Sequence, residues 1–274
     1  MRRIVKLVES LGRAFRVGAR DANTPSNLVV RRATDRERTR WWYGARPNHM
    51  MPRRLFPLAA VALVASASAY AFAIDRAASP AIFAALGSAE LAAAALGIYV
   101  LKADARLADA WAPRWGDLRN GFLAAVFAWA ATTGLARLLA GVGDFDAHLL
   151  RLYLQAGPVG ATPGVPFVLG VAAMAALEET VWRCLVPRAL EAFVPPRLAW
   201  MLAAVLFAIA HMPSVSAMAV MGSPNVLFPA ASLGLGIFLG ALAAATGRVV
   251  PGFFAHLLFN LAIFGPFALV HLSP

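Results

Sequence analysis

From residue 55 onward the chain alternates long apolar runs with short breaks made of Pro, Gly or charge. Seven runs stand out, near 55–74, 80–101, 118–142, 164–187, 198–220, 226–246 and 249–272. Each approaches the about twenty apolar residues a helix needs to cross a bilayer core. Hydrocarbon offers the backbone no hydrogen-bond partners, so runs of this length must be helical. The pattern therefore predicts an all-α, polytopic transmembrane helix bundle of about seven spans. The breaks fall at Asp75-Arg76, Lys102 to Asp117, Asp144 to Pro163, Pro195-Pro196, Gly222 to Pro224 and Arg248. Residues 144–156, with Asp144, His148, Arg151 and Tyr153, read as a short surface helix rather than a span.

The first 54 residues follow a different pattern. Ile4, Leu7, Val8, Leu11 and Phe15 recur at helical spacing with Arg and Lys between them, a basic amphipathic stripe suited to a membrane surface. An Arg-rich, acid-poor stretch is also what an organelle transit peptide looks like, and the two readings stay open. Residues 21–54 are polar and Arg-rich, so disorder is expected, with Trp41, Trp42 and Tyr43 as interfacial anchors. The expected division is a tail, 1–54, and a transmembrane domain, 55–274.

Composition narrows the class further. Hydrophobic residues make up 60% of the chain and charged ones 14%, which excludes an ordinary soluble domain and a nucleic-acid-binding fold. The net charge of +11 sits almost wholly in the tail, where fourteen Lys/Arg face four Asp/Glu. Basic residues before a first span set orientation and touch anionic lipid, so the tail is expected on the cytoplasmic side. Loops 102–117, 188–197 and the turn at Arg248 would then share that side. Cys184 is the single cysteine, which excludes a disulfide framework and a CxxC site. Lying in an apolar run, it reads as a packing residue. Gly234, Gly236 and Gly240 in the sixth run suit close helix approach, or simply reflect an Ala/Gly-rich composition.

Three polar clusters interrupt the apolar runs, and ionisable groups inside a membrane point to function by default. On a helix, Glu179 and Arg183 are i and i+4 and can pair along one face. Glu178 lies about 100° around the helix and is left outside that pair. It reads as a general base, with Glu179–Arg183 as a structural ion pair; a three-residue staple holding the bundle together is the alternative. His211 closes the run Leu202 to Ala210, a place where a lone histidine is usually interfacial. His256 and Asn260, again i and i+4, present an imidazole and a carboxamide that together can donate to a developing oxyanion.

Glu178-Glu179-x-x-x-Arg183, Phe207-x-x-x-His211 and His256-x-x-x-Asn260, in that order, resemble the CAAX protease and bacteriocin-processing (Abi) family, which includes the type II CAAX prenyl endopeptidases. The resemblance covers roughly residues 118–272. Trp182 fills a position where a smaller or different aromatic residue is common, and the tail has no counterpart in the family. The resemblance implies an all-helical intramembrane endopeptidase of glutamate type. Glu178 with His211 would activate water, and His256 with Asn260 would hold the oxyanion. No cofactor is implied. Zinc, for which two histidines and a glutamate are suitable ligands, is not favoured because no HExxH helix is present. The implied partners are the lipid bilayer and a peptide or protein substrate with a membrane-associated end. A prenylated CAAX tail, a bacteriocin leader or a C-terminal sorting signal would each fit. The expected location is a bacterial inner membrane, and the oligomeric state is open.

Two other classes compete. A non-catalytic immunity or partner-binding protein would use the polar clusters as a structural core. A proton-coupled transporter would use buried Glu and His as a relay, but the chain has no internal repeat or paired broken helices. Serine and aspartyl chemistry are weaker still: Ser214, Ser216 and Ser232 have no GxSxG context, and Asp144 and Asp146 lie in a loop.

Overall fold

The protein is described from a computed structural model, which covers residues 50–77, 79, 81–101, 105–156 and 165–270. The expectations for the amphipathic stripe near residues 4–15 and for Trp41, Trp42 and Tyr43 lie outside the described residues. The chain runs through α1 (Met50–Ala71), a 3-10 turn at Ile74–Arg76, α2 (Ala81–Leu101), α3 (Ala105–Trp111), α4 (Asp117–Leu139) and α5 (Phe145–Ala156). Next come α6 (Val165–Glu179), a π turn at Thr180–Leu185, and α7 (Val186–Leu190). It ends with α8 (Pro196–Ala210), α9 (Ser214–Ala217), α10 (Leu227–Thr246) and α11 (Val250–Val270).

The fold is an all-α, multi-pass membrane bundle. Among the described residues, six helical stretches are long and apolar enough to cross a bilayer: Arg53–Ala71, Ile82–Leu101, Asp117–Leu139, Val165–Leu190, Pro196–Ala217 and Leu227–Thr246. The seventh apolar run is also helical, as the 21-residue α11. The breaks have local causes. Pro195 and Pro196 open α8, where a missing N–H costs nothing. Gly247, at φ 69°, closes α10 in the left-handed region. Residues 145–156 form a separate short helix, α5.

Polar bonds in the connections sort the loops into two sets. At one end, the Val249 amide donates to the Ala110 carbonyl at 3.0 Å and the Arg248 guanidinium pairs with Asp117 at 2.6 Å. Asp117 also accepts from the Arg114 amide at 2.7 Å. At the other end, Gln155 donates to the carbonyls of Ala71 and Ala73, at 3.1 and 3.3 Å. There the Asn225 amide donates to the His148 carbonyl at 2.9 Å, and His148 Nε2 meets the Ser223 carbonyl at 3.3 Å. The 102–117 break and the Arg248 turn thus share one end, while the 71–77 turn, α5 and the 220–225 loop share the other.

Small residues set the closest helix approaches. Gly121 of α4 faces α11, and a Cβ there would lie 2.5 Å from Phe254 Cβ and 2.8 Å from the Pro251 carbonyl oxygen. Gly236 and Gly240 of α10 face α8, 3.2 Å from Ala204 Cβ and 3.0 Å from the Trp200 ring by the same measure, whereas Gly234 stands in open space. The close-approach reading therefore holds for two of the three glycines of the sixth run. Phe56, Val64, Trp182, Leu185, Val186 and Phe207 are among the buried residues of the main core. Gly121→Ala should destabilise the purified protein in micelles by about 1–3 kcal/mol, because the obstacle is backbone and cannot swing aside. Gly134→Ala, with nothing within 4 Å, should change thermal unfolding by no more than about 0.5 kcal/mol.

Candidate active site

Pro187 shapes the central polar element. It has no N–H to offer the Arg183 carbonyl, and its ring crowds that oxygen. The preceding helix widens over Thr180–Leu185 into a π turn, in which the Val186 amide bonds back to the Val181 carbonyl. Such bulges mark functional sites in many helices. Here the wide turn begins one residue after the Glu178-Glu179 pair and contains Arg183.

The two carboxylates converge on one imidazole carried by α11. His256 Nδ1 lies 3.1 Å from Glu179 Oε1, and His256 Nε2 lies 3.4 Å from Glu178 Oε2. Arg183 Nε approaches Glu179 Oε1 at 3.6 Å, a charge contact too long for a hydrogen bond. Glu179 is sealed, its side chain 0% exposed, whereas the Glu178 side chain keeps 12% of its surface accessible. Gly252 makes room for this arrangement: a Cβ there would lie 2.7 Å from Glu179 Oε2. That oxygen and all three guanidinium nitrogens of Arg183 are buried without hydrogen-bond partners among the described residues.

The hydrogen bonds constrain where protons sit. His256 Nδ1 donates the 3.1 Å bond when Glu179 is a carboxylate, which only accepts. Nε2 then faces Glu178 at 3.4 Å, where a proton on either group is within reach of the other. His211 is arranged differently. Its Nδ1 donates to the Phe207 carbonyl at 2.8 Å, leaving Nε2 as the acceptor of a neutral ring.

Aromatic contacts join His211 to the carboxylate cluster. The His211 ring meets Phe207 at 4.7 Å and Phe228 at 4.9 Å between centroids, both edge-on. Arg183 stands 5.0 Å from the Phe207 ring centroid. The structure thus brings Glu178, Glu179, Arg183 and His256 into direct contact and links His211 to them through Phe207. Asn260 follows His256 by one turn of α11 and is half-buried; no hydrogen bond of its amide is found among the described residues.

One residue of this cluster escaped sequence reasoning. Glu90 of α2 is 1% exposed and accepts from the Trp182 indole at 2.7 Å. It lies within electrostatic reach of Glu178 and Arg183. Its signal was present, since it is the lone acidic or basic residue between Arg76 and Lys102. No local partner accompanies it in sequence to form a recognisable motif. Among the described residues, no group of three His, Cys, Asp and Glu side chains is arranged to hold a metal ion.

Residues 160–262 match the family model described as type II CAAX prenyl endopeptidase Rce1-like. Over that segment the chain is similar to the Rce1-like CAAX proteases of the Abi family. All three motifs lie inside the Rce1-like segment, while α4 and α5 fall outside it, so the match is narrower than the 118–272 expected from the motifs. No curated protein and no solved structure matched the chain. The match to the CAAX protease family supports a membrane-embedded protease as the general activity.

The buried pair also has a stability consequence. Glu179→Ala leaves Arg183 uncompensated and should cost about 3–5 kcal/mol in unfolding, as should Arg183→Ala. The double variant should cost clearly less than the two together, as read from a thermal or denaturant double-mutant cycle.

Proposed function

We propose that this protein is an intramembrane endopeptidase that cleaves a peptide or protein tail held at the membrane, with Glu178 as the general base. The observation that carries this reading is the asymmetry of the carboxylate pair. Both touch His256, but Glu179 is sealed against Arg183 while Glu178 remains accessible. A base must reach water, and Glu178 alone of the two does.

The chemistry follows from the proton positions. His211 Nε2 and the Glu178 carboxylate are acceptors suited to a water, and they draw its proton as the oxygen attacks the peptide carbonyl. The carbonyl π electrons move to oxygen. That oxyanion takes hydrogen bonds from donors on α11, the Asn260 amide and His256 Nε2 while it holds the shared proton. Collapse of the tetrahedral intermediate breaks the C–N bond, and Glu178 passes its proton to the leaving amine. Glu179 and Arg183 fix the His256 ring and take no part in the bond changes.

The family's description as a prenyl endopeptidase makes a prenylated CAAX tail the first substrate to test. The basic tail 1–54 would lie on the cytoplasmic face of a bacterial inner membrane, with its aromatic residues near the interface. The end bearing Arg248 and the 102–117 break would face the same compartment.

Cleavage of an internally quenched farnesylated peptide by the full-length protein in micelles tests the assignment. Glu178→Gln should lower the rate about 10²–10⁴-fold with unchanged thermal unfolding. Full cleavage by Glu178→Gln would remove Glu178 as the base.

A further inference from the structure

Glu90 is a buried carboxylate that the proposed reaction does not use. It sits midway along α2, outside the segment that matches the family, in a run with no other acidic or basic side chain. One oxygen accepts the Trp182 indole proton at 2.7 Å, while Oε2 is buried without a hydrogen-bond partner among the described residues. A carboxylate so placed is expensive, and a neutral acceptor would satisfy the indole at lower cost. Its position suggests what offsets the expense.

Trp182 is the first link of a continuous stack. Its ring packs on Phe207 at 5.3 Å, and Phe207 packs on His211 at 4.7 Å. Phe207 also supplies the carbonyl that binds His211 Nδ1 at 2.8 Å and so leaves Nε2 free to accept. Arg183, next to Trp182 in the π turn, covers the same Phe207 ring at 5.0 Å. The π turn thus sets two neighbouring side chains, Trp182 and Arg183, against the residue that orients His211. Of these two, the indole is anchored across the bundle. Its N–H finds its acceptor on α2, 92 positions away in the chain. The charged groups facing Glu90 are Glu178, at the end of α6, and Arg183, beside Trp182 in the π turn.

We propose that Glu90 is a positioning residue for His211, acting through the Trp182 indole and the Phe207 ring and carbonyl. The proposal rests on the reading of the site as hydrolytic, and it adds α2 to the elements that build the site. A residue that merely fastened α2 to the π turn would affect unfolding and leave the His211 ring unchanged.

Histidine side-chain 15N spectra of the full-length protein in micelles separate the two. The His211 signals are identified by their loss in His211→Gln. Wild type and Glu90→Gln, whose amide oxygen still accepts from the indole, should show the Nδ1-protonated ring. Trp182→Phe and Glu90→Leu should move or broaden those signals. With the farnesylated peptide, each of these two should lower kcat about tenfold, KM staying within about twofold, as misplacement of a reacting group does. The Glu90→Leu/Trp182→Phe pair should be no worse than either alone. Where Glu90→Leu does not fold, Trp182→Phe and Glu90→Gln carry the test. Unchanged His211 signals in Trp182→Phe, a Glu90→Gln variant as impaired as Glu90→Leu, or single effects that multiply would each overturn the proposal. The spectra decide even if this peptide is not cleaved. An inactive Glu178→Gln beside an unaffected Glu90→Leu sinks the positioning role alone, whereas an active Glu178→Gln sinks the hydrolytic reading.

Discussion

A charge inside a bilayer must find its partner within the protein, and here that constraint is met by one imidazole held between two carboxylates. His256 ties α11 to the end of α6 through both ring nitrogens, at 3.1 Å to Glu179 and 3.4 Å to Glu178. The packing around it serves this contact. Gly252 lets the α11 backbone come up to the Glu179 carboxylate, and Gly121 lets α4 support α11 from another side. The π turn carries Arg183 to the same carboxylate at 3.6 Å. Removing either member of the Glu179–Arg183 pair leaves a formal charge in a low-dielectric setting, where it costs several kcal/mol.

Much of the fold was legible because hydrophobic length is a strong signal in lipid. All seven apolar runs are helical, and the breaks at Pro195-Pro196 and Gly247 fall where backbone chemistry requires them. Two sets of polar bonds gather the loops, one holding Asp117 and Arg248 together and the other joining the 71–77 turn, α5 and the 220–225 loop.

The site was legible as motifs but not as geometry. The spacing of Glu179 and Arg183 predicted an ordinary helical pair, with Glu178 turned elsewhere. In the structure Pro187 acts on the helix before it, opens the π turn, and both carboxylates reach His256. No periodicity rule carries that effect backward along the chain. Glu90 was missed for a different reason. Its partner Trp182 lies 92 positions away, and only the folded bundle brings them to 2.7 Å. Trp182 did stand out in sequence, as the departure from the family pattern, and its indole N–H is what Glu90 satisfies.

The proposed nucleophile is a water activated at Glu178. Single-turnover cleavage of the farnesylated peptide in H2(18)O, followed by mass spectrometry of products and protein, tests it most directly. One 18O atom in the new C-terminal carboxylate, with no mass added to the protein at any time, is the predicted result. An acyl adduct on the protein preceding product release would contradict it and assign the attack to a side chain instead.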